Sequence, residues 1–224
     1  MQLLEKVKLC NIQSYKYTFF KGLHKDTGGI LMSQMGFYFD QTRCIGCYTC
    51  AVACKDWHDI DAGPVNWMRV HTIEEGKFPN LFVAYLVLPC FHCADPPCVR
   101  ACPVGAIYKR EADGIVVVDQ DKCLGKHECR TLCLNACPWN VPQFGTQDNA
   151  KMQKCDLCLE RLEQGLQTIC VEACPMYALD VGPMHQLRAR YGDVVEAEGF
   201  RYSKRFKPSV TFKPKRRGQG MDSG

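Results

Sequence analysis

Apolar residues along this chain come in short runs, not in long periodic stretches. The longest is Leu81 to Leu88, eight residues, and Phe82 to Leu88 within it reads as a strand rich in aromatic and branched side chains. A bilayer helix needs roughly 20 apolar residues, so no segment is expected to span a membrane. Ala106 to Arg110, a turn at Asp113-Gly114, and Ile115 to Asp119 read as a hairpin, because Asp-Gly tolerates the positive φ of a tight turn. Pro183 to Arg190 suits a helix and Ser209 to Phe212 a last strand. Residues 1–34 show no such pattern and are expected to form an N-terminal arm, either loosely attached or a docking element. Lys213 to Gly224 reads as a basic, solvated tail, which leaves 35–212 as the body.

Between these short elements stand the cysteines, and their spacing dominates the chain. The first group is Cys44, Cys47, Cys50 and Cys54; the second is Cys90, Cys93, Cys98 and Cys102. The third is Cys123, Cys129, Cys133 and Cys137, and the fourth is Cys155, Cys158, Cys170 and Cys174. Proline follows Cys102, Cys137 and Cys174, and Cys10 stands alone as an expected free thiol. Such repetition points to small units that cannot bury a core separately.

Seventeen cysteines in 224 residues is below the density of a disulfide scaffold, and the chain is too long to need such stapling. Zinc uses Cys-x2-Cys pairs as half-sites. The tight run Cys44-x2-Cys47-x2-Cys50 and the Cys-Pro endings suit iron-sulfur cubanes better: one loop wraps three thiolates, and a distant Cys-Pro supplies the fourth from the other motif of a pair. A zinc-bearing interaction module is the rival from another class. Sixteen cysteines therefore predict four 4Fe-4S clusters, with these cysteines as the iron ligands.

Composition and charge add exclusions. At 46% hydrophobic and 23% charged, the chain has enough apolar material to fold. Its formal charge of +4 counts the cysteines as neutral, and four dianionic clusters would take it to about −4, so the basic balance is poor evidence for nucleic acid. No Gly-x-Gly-x-x-Gly loop or radical-type Cys-x3-Cys-x2-Cys run occurs, so the clusters are expected to conduct electrons and not to catalyse. The absence of an export signal favours the cytoplasm, with co-export beside a signal-bearing partner as the alternative.

From about Gly36 to Pro214 the chain resembles the four-cluster ferredoxin-like iron-sulfur subunit of the dimethyl sulfoxide reductase family of molybdopterin oxidoreductases. The matching motifs are CIGCYTCAVAC at Cys44, CFHCADPPCVRACPVGAI at Cys90, ACPWNVPQF at Ala136 and KCDLCLERLEQGLQTICVEACPMYAL at Lys154. The resemblance implies an α+β fold of two pseudo-symmetric ferredoxin-like halves, with short strands, short helices and cluster-binding loops. It pairs motifs one and four, and motifs two and three. It assigns one cluster to Cys44, Cys47, Cys50 and Cys174, and a second to Cys155, Cys158, Cys170 and Cys54. A third falls to Cys90, Cys93, Cys98 and Cys137, and a fourth to Cys123, Cys129, Cys133 and Cys102.

The resemblance also implies a non-catalytic electron-transfer role, linking a large molybdopterin (molybdenum or tungsten) catalytic subunit to a second redox partner such as a membrane anchor. A free-standing multicluster ferredoxin, or a wire of a hydrogenase or formate complex, is the alternative. Motif three departs from the pattern: Lys126 stands where the family has a cysteine. Cys129 and Cys133 on a longer loop are expected to restore a cubane, with a 3Fe-4S cluster or ligation by His127 as alternatives. His92 is expected to pack or hydrogen-bond beside a cluster. Trp57, His58, Trp67 and Arg69 are expected either to meet the catalytic subunit or to cover a cluster pair from water.

Overall fold

The computed structural model describes residues 33–217. Fifteen short elements follow one another. They are β1 (Met35–Asp40), α1 (Thr49–Trp57), β2 (Arg69–Glu75), β3 (Phe82–Leu88), α2 (Pro97–Ala101), β4 (Ile107–Lys109), β5 (Val116–Val118), α3 (Leu132–Ala136), β6 (Gln143–Phe144), β7 (Met152–Gln153), α4 (Leu159–Glu163), α5 (Ile169–Glu172), β8 (Leu179–Pro183), α6 (Met184–Tyr191) and β9 (Val210–Lys213). No helix among the described residues is long and apolar enough to cross a membrane.

The run Phe82 to Leu88 is β3, and it pairs antiparallel with β2. The expected hairpin forms as β4 against β5. The expected helix begins one residue late, because Pro183 ends β8 and caps α6 from outside. Five strands carried no signal in the alternation of the sequence. In β1 all six residues are buried, since it lies between β8 and β9 in a three-stranded sheet; a strand buried on both faces shows no alternation. It runs antiparallel to β8 and parallel to β9, so the start and end of the described residues close one sheet. The other four unsignalled strands are β2, β8 and the two-residue β6 and β7.

Two boundaries shift. Gln34, assigned to the arm, belongs to the body: its Nε2 donates to the carbonyl oxygens of His92 at 3.0 Å and Gly114 at 3.2 Å. Likewise the tail does not begin at Lys213, which still lies in β9, and Arg217 forms an ion pair with Glu75 at 2.6 Å. The rest of the arm and tail, with Cys10, lies outside the described residues.

The largest core joins Phe37, Phe39, Leu86, Phe91, Val210 and Phe212 with Cys50, Cys54, Cys90, Cys155 and Cys170. A second packs Ile107, Val116 and Met152 around Cys98, Cys123 and Cys133. Cysteine-bearing loops and the short helices that follow them thus supply much of the interior, and the short strands hold them in place.

Candidate metal centre

Each cysteine group includes a loop whose backbone turns left-handed and leads into a short helix. Gly46 and Tyr48 have φ of 68° and 61° in the first, His92 has 42° in the second, Arg130 and Thr131 have 51° and 52° in the third, and Leu157 and Cys158 have 62° and 47° in the fourth. Left-handed residues in such turns can bring successive N–H groups to one side, as an anion-binding concavity requires. The Cys-Pro endings repeat a second geometry. Proline prevents the preceding helix from continuing, and the backbone bends until the residue four places on reaches back to sulfur. Ala106 N–H donates to Sγ of Cys102 at 3.2 Å, and Ala178 N–H donates to Sγ of Cys174 at 3.4 Å. The N–H of Val141 does the same for Cys137.

The loops gather their thiols in fours. Cys44, Cys47, Cys50 and Cys174 line one cavity. Cys90, Cys93, Cys98 and Cys137 line a second, and Cys102, Cys123, Cys129 and Cys133 line a third. The third matters for motif three, because its lengthened loop still brings four thiols around one cavity. Cys54 turns away from its own motif: among the charges acting on it, those of Cys170 and Cys158 weigh most, and Cys155 in turn feels Cys54. These four make the last set.

The sets also adjoin one another in a fixed order. Cys170 and Cys54 feel Cys50, Cys155 feels Cys90, and Cys98 feels Cys133. The row therefore begins at the set of Cys44, passes the sets of Cys155 and Cys90, and ends at the set of Cys123. Its ends approach the surface. Cys47 is exposed, in the same cavity lining as Ile45 at 55% exposure, while Val104 and Leu132 rim the far cavity, 41% and 44% exposed.

The donor set suits a cationic metal core. Burial, followed by the charge of neighbouring thiols, pushes Cys50, Cys98 and Cys133 up to about 12. These thiols hold their protons at neutral pH until a metal displaces them. Among the described residues no three His, Cys, Asp or Glu side chains converge as ligands of a single metal ion; the thiols ring cavities instead. Polar groups around the set of Cys90 lack an acceptor. His92 is fully buried, its Nδ1 accepts from Val116 N–H at 2.9 Å, and its Nε2 has no partner; burial holds its pKa well below the usual range. The Nε of Arg69 is likewise orphaned, and this guanidinium acts on Cys137. Both observations fit an anionic cluster.

The aromatic insertion divides. His58 Nε2 lies 3.3 Å from Sγ of Cys158, and Trp67 packs against His58 with ring centroids 4.6 Å apart. Arg69 donates to the carbonyl of Trp139 at 2.6 Å. These three cover thiol sets, whereas Trp57 stays 44% exposed under the guanidinium of Arg161. Lys126 donates to the carbonyl of Gly145 at 3.4 Å, and His127 pairs with Asp148 at 3.0 Å, so neither lines the motif-three cavity. Sequence reasoning missed Lys154, which is buried and lines the cavity of Cys90; a lysine directly before a cysteine motif carries no signal of burial.

Known proteins match along most of this length. Two 4Fe-4S dicluster domain profiles match residues 43–107 and 81–184. One chain of the anaerobic dimethyl sulfoxide reductase of Escherichia coli (strain K12) is 41% identical over 192 residues, covering 82% of this chain and 90% of that one. One subunit of the sulfite dehydrogenase of Allochromatium vinosum is 36% identical, covering 69% of this chain and 70% of its own. The formate dehydrogenase iron-sulfur subunit of Wolinella succinogenes is 37% identical, covering 67% and 82%. The chain therefore belongs to the iron-sulfur electron-transfer subunits of the dimethyl sulfoxide reductase family of molybdopterin oxidoreductases.

Proposed function

We propose that this chain is the wire of a molybdopterin oxidoreductase complex, with one 4Fe-4S cluster in each of its four thiol sets. Bound clusters supply one-electron storage without proton or atom transfer. The residues do the rest. Sixteen thiolates hold the irons, backbone N–H groups such as those of Ala106 and Ala178 aim at sulfur, and the apolar core keeps water from the inner sets. The observation that carries the reading is the unbroken row of four thiol sets with both ends near the surface, an arrangement suited to passing electrons between two partners. The pairing of sets one with four and two with three supports two ferredoxin-like halves. We assign the ends to docking: one to the pterin-bearing catalytic subunit, the other to the second redox partner.

Anaerobic native purification tests this reading. The expected result is about sixteen irons and sixteen sulfides per chain, together with a large pterin-containing protein. Saturation at two clusters, or zinc in place of iron, would overturn it.

A further inference from the structure

Lys154 is 3% exposed and directly precedes Cys155. Its ammonium donates to the carbonyl oxygens of Val116 and, at 3.0 Å, Cys155. Among the described residues no carboxylate pairs with it. Carbonyl dipoles bear no net charge, and a buried ammonium without an anion is strongly unfavourable. The missing anion has an address, because Lys154 lines the cavity of Cys90, Cys93, Cys98 and Cys137. Its charge acts on Cys98 there.

Two more cations flank this set, both held by carbonyls. Lys109 donates to those of Cys93 at 2.9 Å and Ala94 at 3.3 Å, and Arg69 donates to that of Trp139 at 2.6 Å. Lys154 is the most deeply buried of the three. The adjoining set of Cys54, Cys155 and Cys158 has a carboxylate beside it, since the charge of Asp156 acts on all three thiols, with Arg161 acting on Cys158 as well.

We propose that Lys154 is the fixed counter-charge of the cluster held by Cys90, Cys93, Cys98 and Cys137, and that it raises this cluster's reduction potential. The inference rests on the four-cluster reading above. One electron arrives from the neighbouring cluster, which is oxidised as this one is reduced. No bond forms or breaks and no proton moves, while the charge of the core with its thiolates goes from about −2 to about −3. A cation at fixed distance stabilises the more negative state more. The carbonyl of Cys155, whose thiol belongs to the adjoining set, holds that cation.

The test replaces Lys154 in the full complex, purified anaerobically, with methionine, which keeps length but not charge, and with arginine, which keeps charge. Iron and sulfide are counted in each, and the clusters are titrated by low-temperature EPR, the relevant step being identified by its alteration in Cys93→Ser. In K154M the equilibrium constant for reducing this cluster is expected to fall at least tenfold, a downward shift of about 59 mV. The other three clusters should move less, and K154R should recover most of the shift. An unmoved potential in K154M, an equal shift of all four clusters, or an equal shift in K154R overturns the proposal. Should K154M lose this cluster, its retention in K154R supports the proposal, and loss in both overturns it. A wild-type complex without four clusters would instead overturn the underlying reading, so the two failures are distinct.

Discussion

His58 Nε2 lies 3.3 Å from Sγ of Cys158, so the residue just past the end of α1 reaches a thiol of motif four. Asp156 stands 3.9 Å from the same nitrogen. A hydrogen bond to a cluster thiolate stabilises the reduced, more negative state. His58→Phe is expected to leave the iron content unchanged and to lower the potential of the Cys155 cluster by on the order of 50 mV, the equivalent of one hydrogen bond of about 1 kcal/mol. Redox titration of the variant checks this; a potential that stays in place would remove His58 from any tuning role.

Cys54 and Cys50 belong to one motif and one helix, yet they face different thiol sets. Cys54→Ser should therefore damage the cluster of Cys155, Cys158 and Cys170 and spare that of Cys44, Cys47 and Cys50. Mössbauer and EPR spectra of the variant decide the matter, because loss at the Cys44 site would mean that the fourth ligands are not exchanged.

Motif three holds four thiols around its cavity despite the longer loop. The oxidised protein should consequently show no near-stoichiometric paramagnetic signal of a three-iron cluster in low-temperature EPR. Lys126→Cys should not increase the iron count, since Lys126 points to the carbonyl of Gly145.

Gly46 combines φ of 68° with a site where an added Cβ would stand 2.3 Å from the ring of Tyr85. Both a left-handed side chain and overpacking are unfavourable. Gly46→Ala is expected to cost roughly 2 kcal/mol, read as earlier loss of cluster absorbance in urea. Adding Tyr85→Ala should recover only the part due to the clash, leaving the backbone strain.

Asp40, at the end of β1, accepts hydrogen bonds from the N–H and hydroxyl of Thr42 and lies 3.4 Å from the ammonium of Lys213. Burial alone would raise its pKa, but the Thr42 hydrogen bonds and Lys213 outweigh it and hold the carboxyl below its ordinary value. The folded state thus binds this proton less readily than the unfolded chain. The resulting stability is complete above about pH 4, the ordinary carboxylate value, and is lost as pH falls through the lower folded value. Asp40→Asn should destabilise by about 1–2 kcal/mol at neutral pH, with the gap to wild type closing in more acidic solution. A gap independent of pH would contradict the assignment.

Much of the site was legible because its chemistry is local. The spacing of Cys44, Cys47 and Cys50, and the prolines after Cys102, Cys137 and Cys174, act through neighbours a few residues away. Left-handed turns and N–H groups aimed at sulfur need nothing more distant. The strand at Phe82 and the hairpin around Gly114 were readable for the same reason: side-chain type and turn chemistry are near-neighbour properties. Tertiary structure alone decided that β1 lies between β8 and β9, since burial on both faces erases the alternation that marks a strand. It alone set the thiol sets in a row, because closing long loops depends on packing between distant segments. It also buried Lys154 beside Cys98, for the surroundings that turn a lysine from a solvated charge into a fixed one come from Val116 and the Cys90 cavity, far away in sequence.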